Sequence, residues 1–235
     1  MTLGLAIVGY GKMGRLVERL APEYGFAVCA RFDSKNNAGG EGLTREALQG
    51  VDVAVEFSTP QTAAQNIQQL AAAGVDATVG TTGWLAQLPE AHRAVREAGT
   101  GLVWAPNFSV GVNLFLKAVT YTATLFAQQR EYDAWGWEIH HAAKKDAPSG
   151  TLRKLADDMR ACGYERAIEL SSNRAGAHPG THEIGFDSMA DTLTVRHVAR
   201  GREGLAYGAL QAARWAAAHK GVREFAEILF SEGKE

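Results

Sequence analysis

The stretch from Glu138 to Thr151 concentrates side chains suited to acid–base chemistry and anion binding. Its sequence is Glu-Ile-His-His-Ala-Ala-Lys-Lys-Asp-Ala-Pro-Ser-Gly-Thr, with two imidazoles and two ammonium groups. A small-residue turn, Pro148 to Thr151, leads into a predicted helix from Leu152 to Arg160, and the free N–H groups at such a helix start favour an anion. Histidine exchanges protons near neutral pH. The stretch therefore suits a small acid whose carboxylates are held while one of its atoms is protonated.

The same residues also have an ordinary structural interpretation. Adjacent side chains on a strand point to opposite faces, so at most one of His140 and His141 needs to face a site. Either histidine can be solvated or hydrogen-bonded in any protein, and Lys144, Lys145 and Asp146 together are typical of an exposed loop. This composition alone leaves both interpretations open, and the elements around the stretch must decide between them.

The overall composition excludes several classes of protein. With 235 residues, the chain is long enough for one large domain or two modest ones, and 46% hydrophobic and 21% charged residues are ordinary for a globular protein. A net charge of −2 gives no reason to expect nucleic acid or an acidic membrane as partner, and no apolar run approaches the ~20 residues of a membrane helix. Cys29 and Cys162 show no metal-ligand spacing, and no secretory signal is visible. We therefore expect a cytoplasmic protein without a metal.

A glycine-rich turn is the first candidate binding element. Leu3 to Val8 is a short apolar run, Gly9-Tyr10-Gly11-Lys12-Met13-Gly14 follows it, and a helical pattern continues through Tyr24. In this context the first glycine permits a tight turn, the second lets the backbone approach a pyrophosphate, and the third lets helix and strand pack closely. The next predicted strand, Phe26 to Phe32, ends at Asp33, where an acid bonds the adenosine ribose. The pattern predicts a dinucleotide-binding fold; its alternative is a glycine-rich turn in another α/β protein.

Strands and helices continue to alternate as far as Ala105. The predicted strands are Val51–Phe57, Val75–Val79 and Gly101–Ala105, and the predicted helices between them are Pro60–Ala73 and Leu85–Ala98. Such alternation predicts a parallel sheet with right-handed crossovers, whose ligands bind beyond the carboxyl ends of the strands. The turns expected at that edge are Ser58–Pro60, Gly80–Gly83 and Pro106–Ser109.

The pattern changes after Asn107 and predicts an inserted α+β layer. The alanine-rich helix near the end is expected to pack back on the first domain, and Trp135 and Trp137 are expected in a core or interface. We therefore predict an α/β fold, with a Rossmann-type parallel sheet domain (residues 1–106 plus 205–235) and an inserted α+β domain (residues 107–204). The elements predicted after Asn107 are a helix at Asn113–Gln129, a strand at Trp135–Ile139, an antiparallel pair at Thr181–Ser188 and Thr192–Ala199, and helices at Gly204–Lys220 and Arg223–Phe230.

Taken together, the motifs resemble one enzyme family, the 4-hydroxy-tetrahydrodipicolinate reductases of the bacterial diaminopimelate–lysine pathway, formerly called dihydrodipicolinate reductases. The resemblance covers nearly the whole chain, and His-His-x-x-Lys-x-Asp-Ala-Pro-Ser-Gly-Thr is highly specific for that family. It implies NAD(P)H-dependent reduction of 4-hydroxy-tetrahydrodipicolinate, a small cyclic dicarboxylate, to tetrahydrodipicolinate. The motifs that carry it are Gly9–Gly14, Glu56-Phe57-Ser58, Gly80–Gly83, Asn107-Phe108-Ser109 with Gly111 and Asn113, and above all Glu138–Thr151.

The resemblance also implies roles for individual residues and an assembly. His140 matches a proton donor or acceptor and Lys144 a proton donor, and the inserted domain is expected to bind substrate and to form a homotetramer through its sheet. The implied substrate-binding residues are His141, Ser149, Gly150 and Thr151, the last two holding a carboxylate. The implied cofactor-binding residues are Gly9, Tyr10, Gly11, Lys12, Met13, Gly14, Asp33, Lys35, Gly80, Thr81, Thr82, Ala105, Pro106, Asn107 and Phe108.

The residues directly after the acid of the second strand differ from the family pattern. Many members place an arginine next to this acid to meet the 2′-phosphate of NADPH, whereas Asp33 is succeeded by Ser34 and Lys35. Asp33 favours NADH because its charge repels that phosphate, and Lys35 partly accommodates the phosphate. We therefore expect NADH to be preferred, or both cofactors to be used.

Two alternatives remain beside this reductase. Between Gly180 and Phe186 the chain is shorter than many members and lacks a strand-containing segment, which favours a related imine or keto-acid reductase with a different small acid as substrate. A regulatory module that binds the cofactor without turnover is the other. The presence of His140 and Lys144, and the lack of a basic stripe that could bind DNA, argue against it.

Overall fold

A computed structural model describes residues 1–231 of the chain, which divides into two compact units. Unit 1 comprises Met1–Val110 and the segment that begins at Glu203, and unit 2 is Gly111–Arg202. Unit 2 is therefore an insertion into the sequence of unit 1. Residues 232–235, which belong to the predicted first domain, lie outside the described residues. Among residues 1–231, no helix is both long enough and apolar enough to span a membrane.

Strands and helices of the described chain are numbered separately, each from the N-terminus. The strands are β1 (Leu3–Val8), β2 (Phe26–Phe32), β3 (Val53–Glu56), β4 (Asp76–Val79), β5 (Gly101–Trp104), β6 (Asp133–His140), β7 (Ile168–Arg174), β8 (Thr181–Asp187), β9 (Thr192–Val198) and β10 (Gly221–Glu224). The α-helices are α1 (Lys12–Leu20), α2 (Pro60–Ala72), α3 (Leu88–Ala98), α4 (Val110–Phe126), α5 (Gly150–Ala161), α6 (Glu203–Ala218) and α7 (Phe225–Ser231).

Unit 1 is built on a six-stranded sheet in the order β10-β5-β4-β3-β1-β2, with every neighbouring pair parallel. Alternate residues of β1 enter two different cores, because successive side chains of a strand point to opposite faces. Leu5 and Ile7 pack with residues of α1 and α6, whereas Ala6 and Val8 pack with residues of α2 and α3. The predicted Rossmann-type parallel sheet is confirmed, and the carboxyl ends of its strands meet at one edge.

Unit 2 contains a four-stranded mixed sheet in the order β7-β6-β8-β9. Strand β6 pairs in parallel with β7 and antiparallel with β8, which pairs antiparallel with β9. One face of this sheet shares a core with α4 and α5, to which Phe115 and Leu152 contribute. The other face carries Trp135, Trp137 and Ile139, each half-buried. The predicted antiparallel pair and the inserted α+β layer are confirmed.

Two strands differ from the sequence-based predictions. The sequence predicts no element at β7, because only Ile168 and Leu170 among its inward-facing residues are apolar; Ser172 and Arg174 bond to a buried carboxylate instead. The short strand β10 pairs with β5, and the last helix therefore begins at Phe225 rather than at the predicted arginine two residues earlier.

The long helix of unit 2 also begins and ends earlier than predicted. Helix α4 spans Val110–Phe126 rather than the predicted Asn113–Gln129. The guanidinium of Arg166 donates hydrogen bonds to the carbonyls of Phe126 at 2.9 Å and Ala127 at 3.3 Å, and so satisfies acceptors that the helix end leaves free. The remaining predicted elements agree with the structure to within a few residues at each end.

Candidate active site

The glycine-rich turn after β1 uses its three glycines in different ways. Gly9 has a φ of 94°, in the left-handed region, and a Cβ there would lie 2.2 Å from the carbonyl oxygen of Phe57. A Cβ at Gly14 would lie 2.5 Å from the carbonyl oxygen of Gly9, so this glycine lets α1 pack on the turn. Gly11 precedes α1 and has open space beside its Cα. Because no side chain caps α1, the N–H groups of its first turn are available to an anion.

Two cavities flank this turn at the carboxyl edge of the sheet. One, of about 510 Å³, extends from Gly11 to Asp33, and the other, of about 480 Å³, extends from Gly11 to Gly80–Thr82. Both are also lined by Phe57 and Ser58. Two adjoining cavities that share the start of a helix match the two halves of a dinucleotide joined by a pyrophosphate.

The carboxylate of Asp33 is oriented by its own loop. Its Oδ1 accepts the N–H of Lys35 at 2.8 Å and the N–H of Asn36 at 3.4 Å. Its Oδ2 has no hydrogen-bond partner within residues 1–231 and is an acceptor of the kind that binds a ribose diol. The guanidinium of Arg31 pairs with the carboxylate of Glu18 instead. The residue that the sequence assigns to the ribose therefore lines the first cavity and has one carboxylate oxygen without a hydrogen-bond partner among residues 1–231.

A buried carboxyl group anchors the turns around both cavities. Glu56 is fully buried at the end of β3, and its Oε1 accepts the N–H of Ser58 at 3.2 Å and the side-chain amide of Asn66 at 3.1 Å. The Ser58 N–H also donates to the hydroxyl of Thr81 at 2.8 Å, and Asn66 accepts the amide of Asn37 at 3.0 Å. Burial raises the pKa of Glu56, and the hydrogen bonds of its neighbours only partly oppose this. The network links the turns after β2, β3 and β4.

Most of the predicted cofactor-binding residues line one of these cavities. Gly14 lies beneath the turn, and neither Lys35 nor any residue of Ala105–Phe108 is among the residues that line the two cavities. The loop Asn37–Gly39 also lines the first cavity and was not predicted; its only sequence signal is a glycine pair shortly after a strand. The predicted residues that line a cavity are Gly9, Tyr10, Gly11, Lys12, Met13, Asp33, Gly80, Thr81 and Thr82.

Glu138 is the centre of a buried polar cluster in unit 2. This β6 residue is fully buried, and its Oε1 accepts the N–H of Ser149 at 2.8 Å, the hydroxyl of Ser172 at 2.9 Å and the guanidinium of Arg174 at 2.8 Å. Burial alone would raise the pKa of Glu138. The interactions with His182, Ser149 and Arg174 outweigh burial and hold this pKa below its ordinary value. Glu138 is therefore ionised at neutral pH.

The imidazole of His140 lies beside this carboxylate at the end of β6. Its Nδ1 is 3.6 Å from Oε2 of Glu138, and Nε2 of His182 is 3.3 Å from the same oxygen. A Cβ at Gly180 would lie 3.2 Å from Nε2 of His140, so glycine leaves room for the ring. Burial lowers the pKa of His140 to about 4, and the neighbouring positive charges add to an effect that Glu138 opposes. His140 is therefore neutral at pH 7.

The start of α5 brings an ammonium group and a main-chain N–H to one carboxylate. Asp146 accepts the Nζ of Lys144 at 2.7 Å through Oδ1 and the N–H of Gly150 at 3.3 Å through Oδ2. Ser149 caps the helix, since its hydroxyl accepts the N–H of Leu152 at 3.2 Å. The hydrogen bond from Lys144 lowers the pKa of Asp146. The helix start is thus an anion site filled by an internal carboxylate.

The structure links the other predicted substrate-side residues to this arrangement. His141 is half-buried, and its carbonyl accepts the N–H of Lys144 at 3.1 Å. Thr151 is half-buried in the first turn of α5. The hydroxyl of Ser149 also lies 3.2 Å from Nε2 of His182, which connects the helix start with the cluster around Glu138.

Comparison with known proteins gives a family for the whole chain. Residues 3–108 match the family model of the dihydrodipicolinate reductase N-terminus, and residues 111–229 match that of the C-terminus. The chain belongs to the dihydrodipicolinate reductase family. The resemblance drawn from Gly9–Gly14 and Glu138–Thr151 is confirmed, and with it the predicted class of enzyme, an NAD(P)H-dependent oxidoreductase.

Individual relatives of the dihydrodipicolinate reductase family align over most of the chain. The 4-hydroxy-tetrahydrodipicolinate reductase of Christiangramia forsetii is 28% identical over 240 residues, covering 97% of this chain and 98% of that protein. The enzyme of the same name from Archaeoglobus fulgidus is 33% identical over 237 residues, covering 88% and 91%. Among solved structures, a dipicolinate-bound dihydrodipicolinate reductase from Paenisporosarcina sp. TG-14 has a TM-score of 0.80 at 22% identity, covering 95% of this chain and 98% of that one.

Three residues near His140 were not predicted from the sequence of this family member. Glu138 lies within the motif but received no role, and Arg174 and His182 come from other strands. The sheet register places Glu138 opposite Ser172 of β7 and opposite His182 of β8. No spacing along the chain contains this information, because it depends on which strands are neighbours.

One group in the cluster has the composition of a metal site. Ligand atoms of Glu138, His140 and His182 all lie within 4.8 Å of one another, and carboxylate and imidazole both bind zinc. However, the guanidinium of Arg174 already pairs with this carboxylate. A metal ion would bring a second positive charge into this buried site. The three side chains are therefore better suited to fixing the position of a proton on a histidine than to binding a metal.

Proposed function

We propose that the chain reduces 4-hydroxy-tetrahydrodipicolinate to tetrahydrodipicolinate in diaminopimelate and lysine biosynthesis. The observation that carries this proposal is the anion site at the start of α5, where Lys144 and the Gly150 N–H converge on one carboxylate. A dicarboxylate substrate offers the matching group. The relative from Paenisporosarcina binds dipicolinate, and relatives that match this chain over most of its length bear the name of the proposed activity.

Unit 1 is the proposed dinucleotide-binding domain. The N–H groups that follow Gly11 would hold the pyrophosphate, Asp33 would bond the adenosine ribose, and the turn Gly80–Thr82 would line the nicotinamide half of the site. When bound, the reduced nicotinamide supplies the hydride that the conjugated imine of the substrate accepts.

The loop after β2 supports NADH as the preferred cofactor. Asp33 lines the first cavity and has a carboxylate oxygen without a partner among residues 1–231, so its charge would repel a 2′-phosphate. Lys35 is exposed and does not line that cavity, and Arg31 pairs with Glu18. The guanidinium of Arg31, near the end of β2, is therefore engaged and is not left to compensate the phosphate charge.

Unit 2 is the proposed substrate-binding and oligomerisation domain. Lys144 and the N–H groups of Gly150 and Thr151 would bind a substrate carboxylate in place of Asp146, with His141 as a further contact. Lys144 is the proposed proton donor, and His140 completes the acid–base set beside it. Holding the ring by a carboxylate fixes the atom that must be protonated, which converts binding energy into orientation.

We further infer a homotetramer in the cytoplasm. The half-buried Trp135 and Trp137 on the face of the sheet opposite α4 and α5 support association through that face. Cys29 and Cys162 are both free thiols, which suits a reducing compartment.

A coupled assay with enzymatically generated substrate tests the proposed reaction. We expect cofactor oxidation with the cyclic dicarboxylate and a higher kcat/KM with NADH than with NADPH. Faster turnover of monocarboxylate imines or keto acids would instead identify a related reductase on the same scaffold. Binding of NADH without oxidation under any of these conditions would indicate a cofactor-sensing module.

A further inference from the structure

We propose that Glu138 is a positioning residue that, together with His182, keeps the proton of His140 on Nδ1 and leaves Nε2 to accept a hydrogen bond from the substrate. Hydrogen bonds to one of its oxygens fix the orientation of the Glu138 carboxylate. Three donors from two elements, the start of α5 and strand β7, bond to Oε1 of Glu138: the Ser149 N–H, the Ser172 hydroxyl and the Arg174 guanidinium. Because they hold one oxygen in place, the other oxygen is fixed as well and faces the two imidazoles.

The position of the proton is set by the group that faces Nδ1 of His140. This nitrogen is buried and has no hydrogen-bond partner within residues 1–231, and it lies 3.6 Å from Oε2 of Glu138, the oxygen that Nε2 of His182 approaches to 3.3 Å. A lone pair on Nδ1 would face an ionised oxygen in a site that excludes water, whereas an N–H would be attracted to it. Contacts of this kind are often long in a ligand-free enzyme and shorten when substrate binds.

Burial is the main reason that His140 favours its neutral form, while Glu138 opposes this and the other surrounding groups add to it. Glu138 faces it from β6, His182 from β8, Arg174 from the end of β7 and Lys144 from the loop after β6. Arg174 balances the carboxylate, and Lys144 adds positive charge, so a second proton on the ring is disfavoured. A neutral ring with its proton on Nδ1 has a bare Nε2, which means that the proton for the reaction comes from Lys144 rather than from His140.

Nitrogen NMR of histidine measures the tautomer directly. In protein labelled with ¹⁵N-histidine, long-range proton–nitrogen correlations at neutral pH distinguish Nδ1–H from Nε2–H for each ring, and His140→Ala assigns the signal. We expect His140 to be neutral with its proton on Nδ1. In Glu138→Gln the carboxamide can turn its NH₂ towards Nδ1, so the proton should move to Nε2.

Ser172→Ala is the matched control for Glu138→Gln. It removes one hydrogen bond to Oε1, at 2.9 Å, and leaves Oε2 and its charge in place. The tautomer of His140 should therefore be unchanged in this variant. A tautomer shift of equal size in Ser172→Ala would mean that general loosening of the cluster, and not the carboxylate, places the proton.

The expected effect on turnover rests on the proposed function, and it is measured separately from the tautomer. Glu138→Gln should lower kcat by roughly 10- to 100-fold, because a misplaced proton forfeits part of the acid–base contribution, with KM for NADH unchanged. Glu138→Asp, which keeps the charge, should recover part of that loss and restore the Nδ1–H tautomer.

Each possible result tests either the positioning role of Glu138 or the proposed function. An Nε2–H tautomer in the wild type overturns the positioning role, and this conclusion holds even where Glu138→Gln fails to fold. A correct tautomer with no turnover of the dicarboxylate would overturn the proposed function alone. An unchanged tautomer in folded Glu138→Gln would show that Glu138 does not place the proton. It would not count against the proposed reductase activity.

Discussion

At the start of α5, the carboxylate of Asp146 stands where a substrate carboxylate would bind. It accepts the ammonium of Lys144 and the N–H of Gly150, the two donors that the proposed reaction assigns to the substrate. The donors are therefore held in place by an internal anion before any ligand arrives. A site that exchanges one carboxylate for another needs little rearrangement, which lowers the cost of orienting its lysine.

Replacement of Lys144 by alanine should remove the proton donor from this site. We expect kcat to fall by about 10²–10⁴-fold, the usual contribution of a positioned acid, while KM for NADH stays unchanged. Steady-state kinetics with the cyclic dicarboxylate measure both quantities. Lys145→Ala is the matched control, because Lys145 is the exposed neighbour of Lys144. Equal losses in the two variants would show that charge near the loop matters and that Lys144 has no specific role.

The individual residues of the site were predictable from sequence only where they share one segment. His140 and Lys144 lie in a continuous motif that is specific for the family. The partners of Glu138 come from β7, β8 and the start of α5, so their role depends on strand register and on a helix cap. Residues such as Arg174 and His182 carry no local signal of this role.

Strand β7, which was not predicted from the sequence, shows why an element that supplies polar groups to a site is harder to predict than an element of the core. Its inward-facing residues change along the strand from Ile168 and Leu170, in or against the core, to Ser172 and Arg174, at the cluster around Glu138. Recognition of a strand from sequence needs alternating apolar residues. Where a strand supplies polar groups to a site, that alternation ends. In contrast, β1 is apolar throughout its buried part and β3 is apolar as far as Glu56, and both were predicted correctly.

The buried polar cluster where β6, β7 and β8 meet should make the unfolding free energy depend on pH. His140 has a folded pKa of about 4 against an ordinary value of 6.5, so protonation favours the unfolded chain as the pH falls through this range. This shift corresponds to roughly 3 kcal/mol of unfolding free energy, present above pH 6.5 and lost by about pH 4. The lowered pKa of Glu138 acts in the same direction below its ordinary value of 4.5. Urea unfolding at a series of pH values measures the loss.

Two variants separate this effect from general acid sensitivity. His140→Gln should flatten the dependence of unfolding free energy on pH between 6.5 and 4, because glutamine does not titrate. His92→Gln, which changes an exposed histidine of α3 in unit 1, should retain the wild-type slope. A wild-type slope in His140→Gln would place the acid sensitivity elsewhere in the chain.

For the whole molecule, the division into two units could be predicted because unit 1 is interrupted by a change of pattern. Alternating strands and helices up to Ala105 indicate a parallel sheet, and the later helix α6, rich in alanine, packs on that sheet through Ala209 and Ala213. The assembly could not be predicted in the same way. Half-buried residues such as Trp135 and Trp137 fit either a loosely covered sheet or an interface, and one chain does not distinguish these.

The proposed tetramer gives this face of the unit 2 sheet a testable role. Ile139, Thr181 and Val198 lie in one row across β6, β8 and β9, and Val198 is 52% exposed in the single chain. Aspartate in place of Val198 should therefore be tolerated by the fold but should place a charge in an apolar interface. Light scattering after size-exclusion chromatography should give about four times the 25.2 kDa of one chain for the wild type and a smaller mass for Val198→Asp.

Met189→Asp is the matched control for Val198→Asp. Met189 is fully exposed in the turn between β8 and β9, outside the paired region of the sheet, so its replacement changes hydrophobicity and charge equally without touching the proposed interface. Its mass should stay at the wild-type value. A wild-type monomer, or dissociation of both variants, would contradict association through this face. Dissociation of Val198→Asp alone would indicate that the half-buried tryptophans also contact another subunit. Val198 belongs to the row formed with Ile139 and Thr181, and this row lies next to the row of Trp137 on the same face of the sheet.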